Sequence, residues 1–305
     1  MAGCIRWDSD KPCKLSKIDA GDTGGLTEEQ ARAKFVAVSQ ELGELQELMN
    51  AAGIHSVLAA FQAMDTGGKD GTIRNVMSSV NPQGCIVASF KIPTPLEAAH
   101  DFLWRCHAVA PKDGQIGIYN RSHYEDVLVA RVHNLVPKTV WKKRYQHIVH
   151  FEDLLADANT LIMKFYLHIS KDEQKTRLRK READPEKSWK LSVGDWKERE
   201  LWDDYMSAYE DAITQTSTPR APWFIVPANN KWYRDLIITQ TIVETMRKHK
   251  SEWHKDLVKR GEVMMHELAE AHVDDGQNVK SKGKDKGKPK HSHKEPVVSE
   301  DPIPG

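Results

Sequence analysis

The sequence predicts an α/β protein: a three-layer, P-loop kinase-like fold on a five-stranded parallel sheet, with a helical lid inserted late in the chain. Three observations point to it. Five short apolar runs, at 56–64, 85–90, 116–120, 161–169 and 223–228, read as strands. They are near-continuous rather than alternating, as in strands buried on both faces. Helical patterns separate them, which is the βαβ arrangement of a parallel sheet. The first run also leads directly into AMDTGGKDGT (63–72), a glycine-rich turn at the head of a helix.

Each element follows from local signals. Residues 1–25 are polar and read as a loosely held, flexible arm. Thr27 with Gln30 forms a capping box for a helix that ends at Gly53, with Leu42, Leu45, Leu48 and Met49 near helical spacing. Further helices start at Lys69, at Thr94-Pro95 and near Ser122, and a long one fills 139–158. A charged, helix-prone insert at about 171–215 separates the last two strands, and Asp184-Pro185 breaks it into two helices. Residues 229–272 are helical by pattern. From 273 the chain reads GQNVKSKGKDKGKPKHSHKEPVVSEDPIPG from Gly276 onward and cannot bury a core, so 273–305 is expected to be a disordered tail, with His291 and His293 solvated. The expected domain is therefore 26–272.

Composition narrows the function. The 305 residues are 39% hydrophobic and 29% charged, with 44 basic and 44 acidic side chains. This suits a soluble globular protein with a real core. Balanced charge supplies no global field for nucleic acid or membrane, so neither partner is expected and any anion site must be local. No run reaches the ~18 apolar residues of a membrane span. MAGCIRWDSDKPCK lacks the apolar stretch of a signal peptide, and a cytoplasmic location is expected. Cys4, Cys13, Cys85 and Cys106 form no C-x-x-C pair and read as reduced thiols.

AMDTGGKDGT departs from G-x-x-x-x-G-K-[ST] at both ends: Ala63 replaces the first glycine and Asp70 the hydroxyl residue. Its place between strand and helix still suits a phosphate loop. Gly67, Gly68 and Gly71 allow amides to face inward, and these with the helix N-terminus make a nest for phosphate oxygens. Lys69 adds a mobile charge, and Thr72 offers a hydroxyl two residues late. Asp65, at a strand's C-terminal end, can hold Mg2+ or orient an attacking phosphate oxygen. Asp70 sits where a helix start favours a negative charge and is grouped with the phosphate-binding loop. Asn120 stands where a Walker-type kinase carries its second acid, and Glu125 and Asp126 could supply it from about one helical turn later. Arg121 can grip phosphate in a bidentate way and offset transition-state charge. Arg131 falls off the helix face of Glu125 and Asp126, and spacing assigns it no role. The insert carries Lys171, Lys175, Arg177, Arg179, Lys180, Arg181, Lys187 and Lys190. Arg177 and Arg181 share a helix face that could close over a phosphate chain. Trp189, Trp196 and Trp202 read as packing anchors. HELAE at His266 lacks the second histidine of a zinc-protease motif.

AMDTGGKDGT, FKIPTPLEAAHDFLWR, GQIGIYNRSHYEDVLVARVH, KFYLHISKDEQKTRL, DPEKSWKLS and WYRDLI, in this order over about 26–246, together resemble the polyphosphate kinase 2 family. The resemblance implies a P-loop kinase fold with a helical lid. It also implies reversible phosphoryl transfer between inorganic polyphosphate and a nucleotide, dependent on Mg2+ with Mn2+ as a substitute. The family's loop lysine falls on Lys69 and its loop acid on Asp65, which with Arg121 are the expected catalytic residues. Its Asp-Arg pair falls on Asn120-Arg121, so the acid is missing. Asn followed by Glu-Asp looks like the subgroup that phosphorylates both nucleoside mono- and diphosphates. There Asp126, or else Glu125, takes over metal or nucleotide-phosphate binding. Arg131 and Arg177 look like positions the family uses for phosphate. AMP, ADP and ATP, with guanine nucleotides as further substrates, are the implied partners besides polyphosphate, in a homodimer or homotetramer. Two other readings stay open on the residues: an ATP-dependent nucleoside or nucleotide kinase, and a polyphosphate-binding protein without turnover.

Overall fold

The computed structural model describes residues 3–7, 11–184 and 193–281, and the chain divides into two compact units, 1–257 and 258–305. Pro185, Lys187, Trp189 and Lys190 of the insert, and the tail from 282 with His291 and His293, lie outside the described residues.

The strands are β1 (Ile5–Trp7), β2 (Ser56–Ala63), β3 (Cys85–Ser89), β4 (Ile116–Asn120), β5 (Thr160–His168) and β6 (Trp223–Pro227). They form one mixed sheet in the order β1-β6-β5-β2-β4-β3. The five expected strands pair in parallel. The sheet is nonetheless six-stranded, because β1 adds antiparallel to β6 with Ile5 opposite Ile225. Three residues with arginine in the middle are too short a pattern to stand out in the sequence.

The helices are α1 (Glu28–Ala52), α2 (Lys69–Val76), α3 (Pro95–Ala98), α4 (Trp104–His107), α5 (Val129–Val132), α6 (Lys138–Asp157), α7 (Lys171–Glu182), α8 (Val193–Glu200), α9 (Trp202–Thr216), α10 (Lys231–Arg247) and α11 (Lys250–Ser281). The predicted capping box forms at Thr27 with Gln30, a second one forms at Thr94 with Glu97, and Gly53 closes α1 with a left-handed φ of 63°. The helix expected near Ser122 is a short 3-10 turn, His123–Asp126, which Ser122 caps. The insert holds three described helices rather than two. The run expected to stay helical over 229–272 breaks between α10 and α11, and α11 continues past 272 to Ser281. The two units divide at 257/258. Part of the N-terminal arm, expected to be loosely held, is anchored at Cys13 and Leu15. Cys13 and Leu15 are buried, and their amides donate to Thr214 Oγ1 and Glu210 Oε1 of α9, both at 2.8 Å.

β2 is the middle of the core: all eight of its residues are buried. Register lines up Phe61, Phe165 and Phe224 across β2, β5 and β6, where the rings stack at 5.2 and 5.5 Å. The same register brings strand ends level. Phe61 pairs with Asn120, Ala63 with Leu167, and His168 with Pro227. Four segments therefore meet at one edge: the loop after β2, Asn120-Arg121, the head of α7, and Ala228-Asn229. Carboxyl ends of parallel strands are where such sheets hold ligands.

α1 packs along α10, joined by Arg247 to Glu41 through Nε and Nη2 at 2.8 and 2.7 Å. On β5, Lys164 is completely buried beside α6 and α9. Its ammonium donates to Glu152 Oε2 (2.6 Å), to the Thr216 carbonyl (2.7 Å) and to Tyr124 Oη (3.0 Å). His123 lies 3.0 Å from the other Glu152 oxygen. This network ties the insert's last helix and the turn that carries Glu125 to the sheet. Among the described residues, no helix is long and apolar enough to cross a membrane.

Removing one partner of a buried pair strands the other charge. Lys164→Met should lower unfolding free energy by about 3–5 kcal/mol, read by denaturant unfolding, and Lys164→Met with Glu152→Leu should recover much of it. A single variant as stable as the wild type contradicts the network's role.

Candidate functional site

The loop between β2 and α2 is built under constraint. Thr66 has φ 64°, a rare value for a β-branched residue, and Gly68 has φ 97°. A Cβ at Gly67 would lie 2.5 Å from Ala63 Cβ, and one at Gly68 would lie 2.6 Å from Arg234 Nη1. Arg177 of α7 holds the loop from one side. Its Nη1 donates to the carbonyls of Thr66 (3.3 Å) and Gly67 (3.0 Å). Its Nη2 donates to those of Ala228 (2.7 Å) and Asn229 (3.1 Å), and Nε to Glu173 (2.7 Å). All five guanidinium donors are thereby used. Gln174 Nε2 donates to the Asp65 carbonyl at 3.1 Å. Arg234, buried and paired with Asp235, lies close against Gly68.

Lys69 opens α2, and its ammonium donates to the Ala63 carbonyl at 2.9 Å. Burial pulls its pKa below the ordinary lysine range, against the pull of Asp65. Arg121, at φ 60°, reaches Asp65 Oδ1 at 3.3 Å and lies 3.9 Å from Glu125 Oε2. Burial works against its charge, but Glu125 and Asp65 outweigh it and push its pKa up. Burial also raises the Glu125 carboxyl above the usual range, despite Arg121 and Lys69. Asn120 Nδ2 donates to Asp70 Oδ1 at 2.7 Å. An amide suits this position, because an acid at 120 would face the Asp70 carboxylate.

Two chambers meet here. The larger, about 900 Å³, is lined by the loop from Asp65 to Gly71 and by Ser89, Phe90, Asn120 and Asp195. Seven cationic side chains line it (Lys69, Lys91, Arg121, Arg177, Lys180, Arg181, Lys231) against three carboxylates (Asp65, Asp70, Asp195). Burial lowers the Lys231 pKa, and repulsion from Arg177 and Arg234 lowers it further, as expected where positive charge is crowded. The smaller chamber, about 460 Å³, has Met64, Ile92, Leu128 and Val129 among its walls, with Tyr205, Tyr209, His133, Glu125 and Glu198. Asp65, Lys69, Arg121 and Asp195 line both.

The structure brings Asp65, Gly67, Gly68, Lys69, Asp70, Gly71, Asn120, Arg121 and Arg177 to the large chamber and Glu125 to the small one. Three expected residues stand apart. Thr72 is buried and donates its hydroxyl back to the Gly68 carbonyl at 3.0 Å, because its place in the first turn of α2 points it inward. Asp126 lines neither chamber. Its carboxylate lies between Arg144 (3.1 Å) and Arg105 (3.6 Å). Arg131 pairs with Asp211 at 2.6 Å, bonds Ser207 and covers the Trp141 ring at 4.7 Å, in a separate cavity. Arg177 does line the large chamber, but its hydrogen bonds go to the carbonyls of Thr66, Gly67, Ala228 and Asn229 and to Glu173 rather than outward.

Lys91, Lys231, Asp195, His133, Glu198 and Tyr205 escaped the sequence reading. Arg234 carried a signal, in WYRDLI. Lys231 opens α10, and the others lie on loops and on the charged insert, where composition does not tell a cavity wall from a solvated face. At the far end of β2, His55, His249 and Glu252 bring ligand-type atoms within 4.8 Å of one another. Trp253 Nε1 donates to His55 Nδ1 at 3.2 Å, which leaves the proton on the other ring nitrogen and makes it a donor rather than a ligand.

Comparison with known proteins agrees with this geometry. Residues 25–254 match the family described as Polyphosphate kinase 2. The AMP/ADP-polyphosphate phosphotransferase of Meiothermus ruber is 54% identical over 235 residues, 76% of this chain and 88% of the relative. The ADP-polyphosphate phosphotransferase of Rhodopseudomonas palustris is 48% identical over 226 residues, 70% and 78%. The crystal structure of polyphosphate kinase 2 from Arthrobacter aurescens TC1 superposes with a TM-score of 0.76 at 42% identity, covering 77% of this chain and 86% of that one.

The raised carboxyl of Glu125 sets a pH dependence. Its contribution to stability is present below the unfolded value of 4.5 and is lost as pH rises through the higher folded value. Glu125→Gln should therefore melt higher than wild type at pH 8 without substrates, by about 2 °C, with the gap closing toward pH 4. A gap that widens as pH falls contradicts this.

Proposed function

The chain belongs to the polyphosphate kinase 2 family, and we propose that it transfers phosphoryl groups reversibly from inorganic polyphosphate to AMP and ADP, giving ADP and ATP. The observation that carries this is the meeting of a cation-lined chamber and a partly apolar one at Asp65, Lys69, Arg121 and Asp195. A phosphate chain needs many cations along its length, which the large chamber offers. A nucleoside needs apolar surface with a few polar groups, which the small one offers. The two substrates would then present their reacting phosphates to each other at the shared wall. The name of the Meiothermus ruber relative supports both acceptors.

The proposal takes β2, the loop and α2 as a variant P-loop in a kinase-type layout, and α7 to α9 as its lid. Phosphoryl transfer asks little covalent chemistry of the protein, so catalysis is positioning and charge neutralisation. Lys69 and Arg121 neutralise the transferring group from its two sides. Arg177 and Gln174 keep the loop in shape, and Asn120 steadies Asp70 beside it. Asp195 has its carboxyl raised by burial and by the negative charge of Asp65. Two carboxylates that repel each other at the shared wall fit a hard cation, which Mg2+ meets through one or two carboxylates plus phosphate oxygens. Asp65 and Asp195 would hold it, and Mg2+, or Mn2+ in its place, supplies further charge neutralisation when bound. The small-chamber carboxyl of Glu125 takes the place beside the acceptor phosphate that the missing acid at 120 leaves open. A cytoplasmic homodimer or homotetramer completes the proposal.

Incubation with AMP, polyphosphate and Mg2+ should yield ADP and then ATP, resolved by chromatography. Lys69→Ala should cut the rate by at least ~10³, the scale of losing a main charge contact in the transition state. No product, or a Lys69→Ala rate equal to wild type, sinks the reading. For the metal, Asp65→Asn should raise the Mg2+ needed for half-maximal rate by about tenfold, the size of one lost charged contact. An unchanged Mg2+ titration removes Asp65 from the metal site.

A further inference from the structure

The helix α8 is clasped from two sides, and the two clasps belong to different chambers. Toward α7, Asp195 meets Arg181 at 3.1 Å, Trp196 Nε1 donates to Glu182 at 2.7 Å, and Arg199 Nη1 donates to Gln174 Oε1 at 3.0 Å. Arg181 and Asp195 line the cation-lined chamber. On the other side, the carboxylate of Glu198 lies 3.0 Å from His133 Nε2, just after α5. Tyr205 of α9 donates its hydroxyl to Glu198 Oε2 at 2.7 Å and lies 3.3 Å from His133 Nε2. Glu198, His133 and Tyr205 all line the small chamber, and none lines the large one.

We propose that Glu198 is a positioning residue for the acceptor nucleotide: through His133 and Tyr205 it fixes the side of α8 that walls the small chamber, while the clasp toward α7 holds Asp195. This rests on the assignment of that chamber to the acceptor. Three features make the assignment of Glu198 specific. Asp195 and Glu198 are three residues apart on one helix, so they share a face one turn apart. A carboxylate accepting from two groups on separate segments, the residue after α5 and α9, fixes α8 along two directions, which one bond cannot do. Tyr205 is nearly buried, at 8% exposure, so its hydroxyl bond is shielded from water. The clasp toward α7 is left intact when Glu198 is altered, so the wall of the polyphosphate chamber keeps its own support. The effect should therefore fall on one substrate.

The test is an initial-rate matrix with AMP or ADP against polyphosphate for wild type, Glu198→Gln and Tyr205→Phe. KM for AMP and ADP should rise about tenfold in Glu198→Gln, the size of one lost charged hydrogen bond. It should rise in the same direction but less in Tyr205→Phe, while KM for polyphosphate holds. A thermal melt checks folding, and Tyr205→Phe, which loses one oxygen only, decides the matter if Glu198→Gln is misfolded. Nucleotide KM values that stay put, or that rise together with the polyphosphate KM, overturn the proposal. A wild type that makes no nucleotide product from polyphosphate overturns the functional reading instead.

Discussion

The site depends first on how Arg177 holds the loop after β2. Its five donors bind the carbonyls of Thr66, Gly67, Ala228 and Asn229 and the carboxylate of Glu173. One side chain thus joins the loop, the insert and the end of β6. Peptide planarity does the rest: with the Gly67 carbonyl held by Arg177, the Gly68 N–H is turned the opposite way. The loop tolerates a left-handed threonine at 66 and a crowded glycine at 68 because these bonds over-determine its shape. The sheet register supplies the rest of the setting, since it brings the ends of β2, β4, β5 and β6 to one edge.

The charge pattern follows from that placement. Arg177 and Arg234 flank Gly68, Lys69 follows it, and Lys231 feels their repulsion. Positive charge is crowded in the large chamber, while Asp65 and Asp195 stand at the wall it shares with the small chamber and Glu125 lines the small one. Arg121 stands between, paired with Asp65 and near Glu125. A chain with no net charge can therefore hold a polyanion through local concentration alone.

What the sequence made legible was local. Strands announced themselves as apolar runs, and the capping box at Thr27 formed as its spacing requires. The loop's identity came from its place between strand and helix. Orientation was not legible. Thr72 and Asp126 have the right chemistry, but one points into its own helix and the other lies between two arginines brought from α4 and α6. Arg131 likewise serves α9 rather than the loop. Asp70 looked unexplained until Asn120, fifty residues away in sequence, was seen to donate to it. The small chamber was invisible because Glu198 and Tyr205 sit in a charged insert whose pattern matches that of a solvated helix. β1 was missed because three residues make no period.

In the proposed reaction, donor and acceptor occupy the two chambers together and exchange the phosphoryl group directly across the wall they share. Initial rates with both substrates varied distinguish this from transfer through the enzyme. Double-reciprocal lines that intersect, as a ternary complex requires, are the predicted result. Parallel lines, which require a phosphorylated enzyme and one substrate leaving before the other binds, would contradict it.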